Sequence, residues 1–161
     1  IMEEMVAHGY QFVILGSGDR EFEEYFSYMH EKYPSSVGLK IGFIPQLARK
    51  IYAGADAFLM PSKSEPCGLA QMISLRYGTL PIVRLTGGLQ DSIRDLGGED
   101  GNGFTFSSYN AHDMMGAVDR CAALFENKKK WNEAVVNAMK CDCSWAKSAD
   151  EYIDMYKSLL K

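Results

Sequence analysis

Between Tyr10 and Phe106 short apolar runs alternate with stretches of helical periodicity, and the alternation leaves little choice of architecture. "YQFVILG" (10–16) is an apolar run of strand length. Asp19 follows a Gly-Ser-Gly turn and is placed to cap a helix with Phe22, Tyr25, Phe26, Met29 and Tyr33 along one face, which Pro34 stops. The same pair recurs. "VGLKIGF" (37–43) is a strand, and a helix with Pro45 in its first turn follows. Further strands are expected at 57–62, 80–84 and 103–106, with helices at 69–77 and 89–94 between them. Strands separated by helices at such short intervals predict an α/β fold. That fold is a doubly wound, Rossmann-like parallel sheet of about five strands covered on both faces.

Past residue 106 the pattern turns wholly helical. Asn110 is placed to cap a helix with Met114, Ala117, Val118, Cys121 and Phe125 inward. Trp131, Val135 and Met139 mark a second helix, and Trp145, Ala149, Tyr152, Tyr156 and Leu159 mark a third. The last stripe is expected either in the core or on a face that packs against another part of a longer protein. The acidic, glycine-rich segment 97–103 reads as a surface loop. A chain of 161 residues is expected to hold one core.

The formal charge of −4, with no basic block beyond Lys128-Lys129-Lys130, argues against nucleic acid as a partner. No apolar run approaches the roughly 20 residues of a membrane span. The four cysteines lack zinc-site spacing, and reduced thiols in the cytoplasm are the expectation. Cys67 is set apart from the other three because it stands at a helix start, where a thiolate is favoured and alkylation is expected. His8, His30 and His112 are assigned no chemical role. The first residue, Ile1, falls inside a helical pattern, so the chain is expected to be part of something longer.

The segment 64–70, Ser-Glu-Pro-Cys-Gly-Leu-Ala, joins a strand end to a helix start, and in open parallel sheets ligands lie outside the carboxyl ends of strands. The amides of Gly68, Leu69 and Ala70 open that helix without partners inside it, and a helix start carries partial positive charge that favours a phosphate. Gly68 keeps the approach clear of a Cβ. Glu65 would repel a phosphate stacked on it, and so is better suited to accept from the hydroxyls of a neutral sugar beside one. An acid that merely caps the helix fits the same spacing, and these residues alone do not separate the two.

"PSKSEPCGLAQ" followed by "RYGTLPIVRLTGGLQDSI" resembles the signature of bacterial glycogen synthases and plant starch synthases, two-lobed GT-B glucosyltransferases. "VILGSGD", "IGF", "IYAGADAFLMPS" and "SWAKSADEY" resemble the C-terminal lobe of that family in order and spacing. The resemblance implies that the whole chain, 1–161, is a nucleotide-sugar-binding lobe whose N-terminal partner lobe lies elsewhere. It further implies that Glu65 lies over the donor glucose, that the backbone at Cys67 and Gly68 approaches the sugar, and that the Leu69 and Ala70 amides hold the diphosphate. Ala70 stands where many relatives have Thr, which removes a hydroxyl and keeps the amide. Gly42 and Phe43 match the segment whose aromatic stacks on adenine, and base stacking needs only the ring face. Ile73 stands where more distant nucleotide-sugar transferases have a second glutamate, which favours the glycogen synthase branch. Thr86-Gly87-Gly88 is implied to be a further turn beside the donor, although glycines there also permit close backbone packing.

The implied reaction is retaining transfer of glucose from ADP-glucose to the non-reducing 4-hydroxyl of an α-1,4-glucan, without a metal or other cofactor. The resemblance also implies that further cationic groups and most of the glucan platform come from sequence before Ile1, so the chain alone is expected to be inactive. A plastid location would replace the cytoplasm if the parent were a plant enzyme. A UDP-sugar donor and a non-catalytic nucleotide-binding module remain as alternatives.

Overall fold

The structure is a computed structural model, and it describes residues 1–98 and 100–160. The chain divides into two compact units, Ile1–Gly54 and Ala55–Lys161, where the sequence predicts one core. All five expected strands form, and every pairing is parallel. They form one ladder of two strands and one of three.

The first unit comprises α1 (Met2–Ala7), β1 (Phe12–Gly16), α2 (Arg20–Lys32), β2 (Val37–Ile41) and α3 (Pro45–Gly54). β1 and β2 pair from Phe12 opposite Val37 to Gly16 opposite Ile41. Met5, Met29 and Val37 form its buried centre. With two strands and three short helices there is too little material to enclose a ladder, and β1, expected to be buried on both faces, leaves Val13 63% exposed. For the same reason Phe22 and Tyr25, placed on the inner face of α2 by periodicity, are exposed. Asp19 stands at the N-cap of α2, but its side chain caps nothing. Glu23 reaches back instead and accepts from the Gly18 amide at 2.9 Å. The imidazole of His30 lies 2.6 Å from the Val37 carbonyl oxygen, a structural contact in keeping with its lack of assigned chemistry.

The second unit comprises β3 (Ala57–Met60), α4 (Ala70–Tyr77), β4 (Leu80–Arg84), α5 (Gly88–Ser92), β5 (Phe104–Phe106), α6 (Ala111–Glu126), α7 (Lys128–Met139) and α8 (Trp145–Leu159). β4 is the central strand, in the order β3-β4-β5. Its residues Leu80, Pro81, Ile82 and Val83 are all buried, as a continuous apolar run in a parallel sheet should be. Burying each of the Leu80, Ile82 and Val83 side chains contributes roughly 1.5–3 kcal/mol relative to leaving it in water. Leu75, Leu89, Ile93, Phe104, Phe106, Val118 and Trp131 complete this core. The end of α4 is set by Gly78 at φ 77°, whose amide returns to the Leu75 carbonyl while the Thr79 amide bonds that of Ser74.

The helical tail departs from its predicted faces in two places. In α7 the buried residues are Trp131, Ala134 and Ala138, while Met139 is exposed. α8 buries no residue, and Trp145, Tyr152, Tyr156 and Leu159 face solvent. The segment 97–103 is only partly a surface loop: Gly101, Asn102 and Gly103 are buried, and Glu99 lies outside the described residues. The Asn102 side chain accepts from the Arg94 amide at 2.8 Å and donates to the Ser92 carbonyl at 3.0 Å, which holds this end of the loop in the core. No helix among the described residues is long and apolar enough to cross a membrane.

Candidate functional site

Glu65, Cys67, Gly68, Leu69, Ala70, Gly87 and Gly88 lie together in the second unit, where the turn after β3 meets the turn after β4. The meeting is close. The Gly88 amide donates to the Glu65 carbonyl at 3.1 Å. A Cβ on Gly87 would collide with the Glu65 carbonyl, and one on Gly88 with the Cys67 backbone. Gly87 also has φ 49°. Both glycines therefore have a packing task, and the Gly88 amide is committed to the protein itself.

Glu65 is half-buried, and Ser62 Oγ donates to its carboxylate at 3.5 Å. The turn before it is gripped from β4, where the guanidinium of Arg84 donates to the carbonyls of Ser62, at 2.9 Å, and Lys63. Arg84 was not among the expected site residues. A charged side chain closing the apolar run "LPIVR" was the available signal, because a guanidinium at a strand end has carbonyls of the neighbouring turn within reach.

At the start of α4 no side chain caps the helix. Among the described residues, no protein atom accepts from the amides of Gly68, Leu69 or Ala70. Gly68 has φ 75°, and Cys67 and Leu69 are exposed. Behind the turn lies Gln71, fully buried, whose amide nitrogen donates to Cys67 O at 3.2 Å, Gly68 O at 3.0 Å and Ser92 Oγ at 3.1 Å. Among the described residues its carbonyl oxygen Oε1 has no partner. Sequence reasoning missed Gln71, since a glutamine in a first helical turn ordinarily reads as a solvated side chain.

Gly42 and Phe43 lie in the first unit, just past β2. The Gly42 amide donates to the Gly16 carbonyl at 2.8 Å and its φ of 128° turns the chain, leaving Phe43 90% exposed. An aromatic ring so exposed has a face free for stacking.

Two further groups belong to the second unit's framework. Partial burial pushes the Asp95 carboxyl upward, but hydrogen bonds from the Thr105 and Gly97 amides, Arg120 and the Thr105 hydroxyl outweigh it and hold the group below the ordinary carboxylate range. Burial, with the negative charge of Asp56, pushes the Cys121 thiol up to about 12, so it stays an inert core thiol, whereas Cys67 is exposed. Among the described residues no group of three or more His, Cys, Asp or Glu side chains is placed to hold a metal ion.

A family model described as glycosyl transferases group 1 matches residues 3–139. The chain belongs to that family. Its relatives include the glycogen synthase of Kosmotoga olearia, 48% identical over 98% of this chain, and that of Geobacillus thermodenitrificans, 48% identical over 100%. In both cases the match covers 34% of the relative, so this group 1 glycosyltransferase chain spans about a third of the length of those proteins. Among solved structures, the catalytic domain of starch synthase IV from Arabidopsis thaliana bound to ADP and acarbose superposes with a TM-score of 0.86. It is 34% identical, over 98% of this chain and 34% of that one. The α/β fold with parallel strands predicted from the sequence is thus the fold of glycosyltransferases of this kind.

Proposed function

We propose that this chain is the donor-binding C-terminal lobe of a retaining glucosyltransferase. The whole protein would move glucose from ADP-glucose to the non-reducing 4-hydroxyl of an α-1,4-glucan, as in glycogen and starch synthesis. The observation that carries the reading is the uncapped start of α4. Amides of Gly68, Leu69 and Ala70 without protein acceptors stand three to five residues from a half-buried carboxylate. A diphosphate satisfies those donors and is favoured by the helix dipole, while Glu65 accepts from glucose hydroxyls. ADP as the nucleotide is supported by the identity to glycogen synthases and by the ADP in the starch synthase neighbour. In the first unit, Phe43 offers an exposed ring face of the kind on which a base stacks.

As ADP departs, negative charge grows on its β-phosphate and the glucose becomes oxocarbenium-like. Fixed backbone donors aimed at that phosphate stabilise this charge without reorganising, and the Glu65 carboxylate beside the sugar stabilises the cationic ring. No metal or cofactor enters the scheme. The other lobe would supply the remaining cationic groups and most of the acceptor platform.

The test is glucose incorporation into α-1,4-glucan by the full-length protein, with ADP-glucose and UDP-glucose compared at equal concentration. ADP-glucose is expected to be the better donor, and Glu65→Ala to lower kcat by roughly 100-fold or more. Equal use of UDP-glucose would remove ADP from the reading, and an unimpaired Glu65→Ala variant would remove the assignment of the site.

A further inference from the structure

We infer that Gln71 is a positioning residue of the donor site: its buried amide sets the direction in which the Gly68 and Leu69 N–H groups point. The inference rests on the reading of the α4 start as a diphosphate site. A trans peptide holds its C=O and N–H antiparallel. Gln71 Nε2 holds Cys67 O at 3.2 Å and Gly68 O at 3.0 Å. Those carbonyls belong to the peptide units whose N–H groups are those of Gly68 and Leu69. Pulling both carbonyls toward a fully buried side chain drives both N–H groups the opposite way, on the side where Cys67 and Leu69 are exposed.

The orientation of the Gln71 amide is itself fixed. All three neighbours of Nε2 are acceptors, since Ser92 Oγ spends its own proton on the Gly88 carbonyl at 2.8 Å. Turning the amide over would set Oε1 against three oxygens. In the orientation observed Oε1 is buried with no partner among the described residues, a cost set against the three contacts of Nε2. Oε1 also fills the space where a Cβ on Gly68 would sit, 2.5 Å from it, so a side chain at residue 68 would displace the group that orients its own peptide. The bond to Ser92 extends this control to α5, which follows Gly87 in the facing turn.

Gln71→Met keeps the shape of the side chain and removes its donors. In the full-length protein, calorimetry is expected to show ADP affinity reduced by about tenfold or more. Adenosine, which has no phosphate, is expected to bind as before. A loss shared equally by ADP and adenosine, or a folded Gln71→Met variant that binds ADP like wild type, overturns the inference. If the variant does not fold, wild type decides. ADP should shift the Gly68 and Leu69 amide resonances strongly and adenosine should not, and bound ADP with both amides unmoved overturns the inference while leaving the nucleotide reading in place. Wild type that binds neither ligand overturns that reading and this inference together.

Discussion

Two helices of the second unit begin in opposite ways. At α6 side chains of the protein meet the early donors: Asn110 Oδ1 accepts from the His112 amide at 2.8 Å and the Asp113 amide at 3.3 Å, and the Asp113 carboxylate accepts from the Ser107 and Ser108 amides. At α4 the N-cap is Leu69, an apolar and 67% exposed residue that caps nothing, and the Gln71 side chain turns inward to hold carbonyls. A helix start is ordinarily closed because unpaired donors cost stability, and the one left open beside a half-buried acid is where the proposed diphosphate would bind.

The largest effect is expected from Gly88→Ala, which drives a methyl group into the Cys67 backbone and breaks the meeting of the two turns. Stability should fall by about 2 kcal/mol or more and ADP binding should be lost, as thermal melts and calorimetry would show. A variant that melts and binds like wild type would mean that the open start does not depend on this contact. Next comes a crossed pair. Leu69→Asp places a negative charge on the open start, where it should stabilise the fold by about 0.3–1 kcal/mol and weaken ADP roughly tenfold through repulsion. Asn110→Ala opens the closed start and should cost about 1 kcal/mol, a fall in Tm of roughly 2–4 °C, with ADP affinity unchanged. If both substitutions move stability and binding in the same direction, the two helix starts do not differ in kind.

The smallest effect concerns acid. The Ser108 amide, together with that of Ser107, holds the Asp113 carboxyl below the ordinary carboxylate range, although slight desolvation works against them. A group with a lowered pKa in the folded state adds stability that is complete above the ordinary carboxylate value of about 3.9 and is lost as pH falls through the folded value. The Ser107 and Ser108 amide resonances should therefore titrate below that value, and Asp113→Asn should abolish the titration. Amides that titrate at the ordinary value instead would mean that α6 is not closed in this way.

The strands and the chain order of the helices were legible because apolar runs and the 3.6-residue period are written locally, and the corner at Glu65 was legible because a strand end, a glycine and a helix start fall within a few residues. Asn110 was readable for the same reason, its cap being a contact across two and three residues. What eluded the sequence depends on partners distant along the chain. The burial of Ala134 and Ala138 in α7, with Met139 exposed, follows from close packing that favours small residues, and Val135 and Met139 line the approach to Gly78. The stripe on α8 names a face without naming what covers it. Gln71 and Arg84 are ordinary polar residues until the carbonyls of Cys67, Gly68, Ser62 and Lys63 are brought to them.

Gly68 carries one more consequence. Its φ of 75° is the mirror image of the angle that L-residues prefer, so its backbone has the handedness of a D-amino acid. D-alanine installed there by semisynthesis would keep the turn and carry its methyl group away from the oxygen of Gln71. L-alanine would suffer both faults at once. The two stereoisomers would thus differ at a single atom, one meeting both the demand for a turn of this chirality and the demand for empty space beside the glutamine, the other meeting neither.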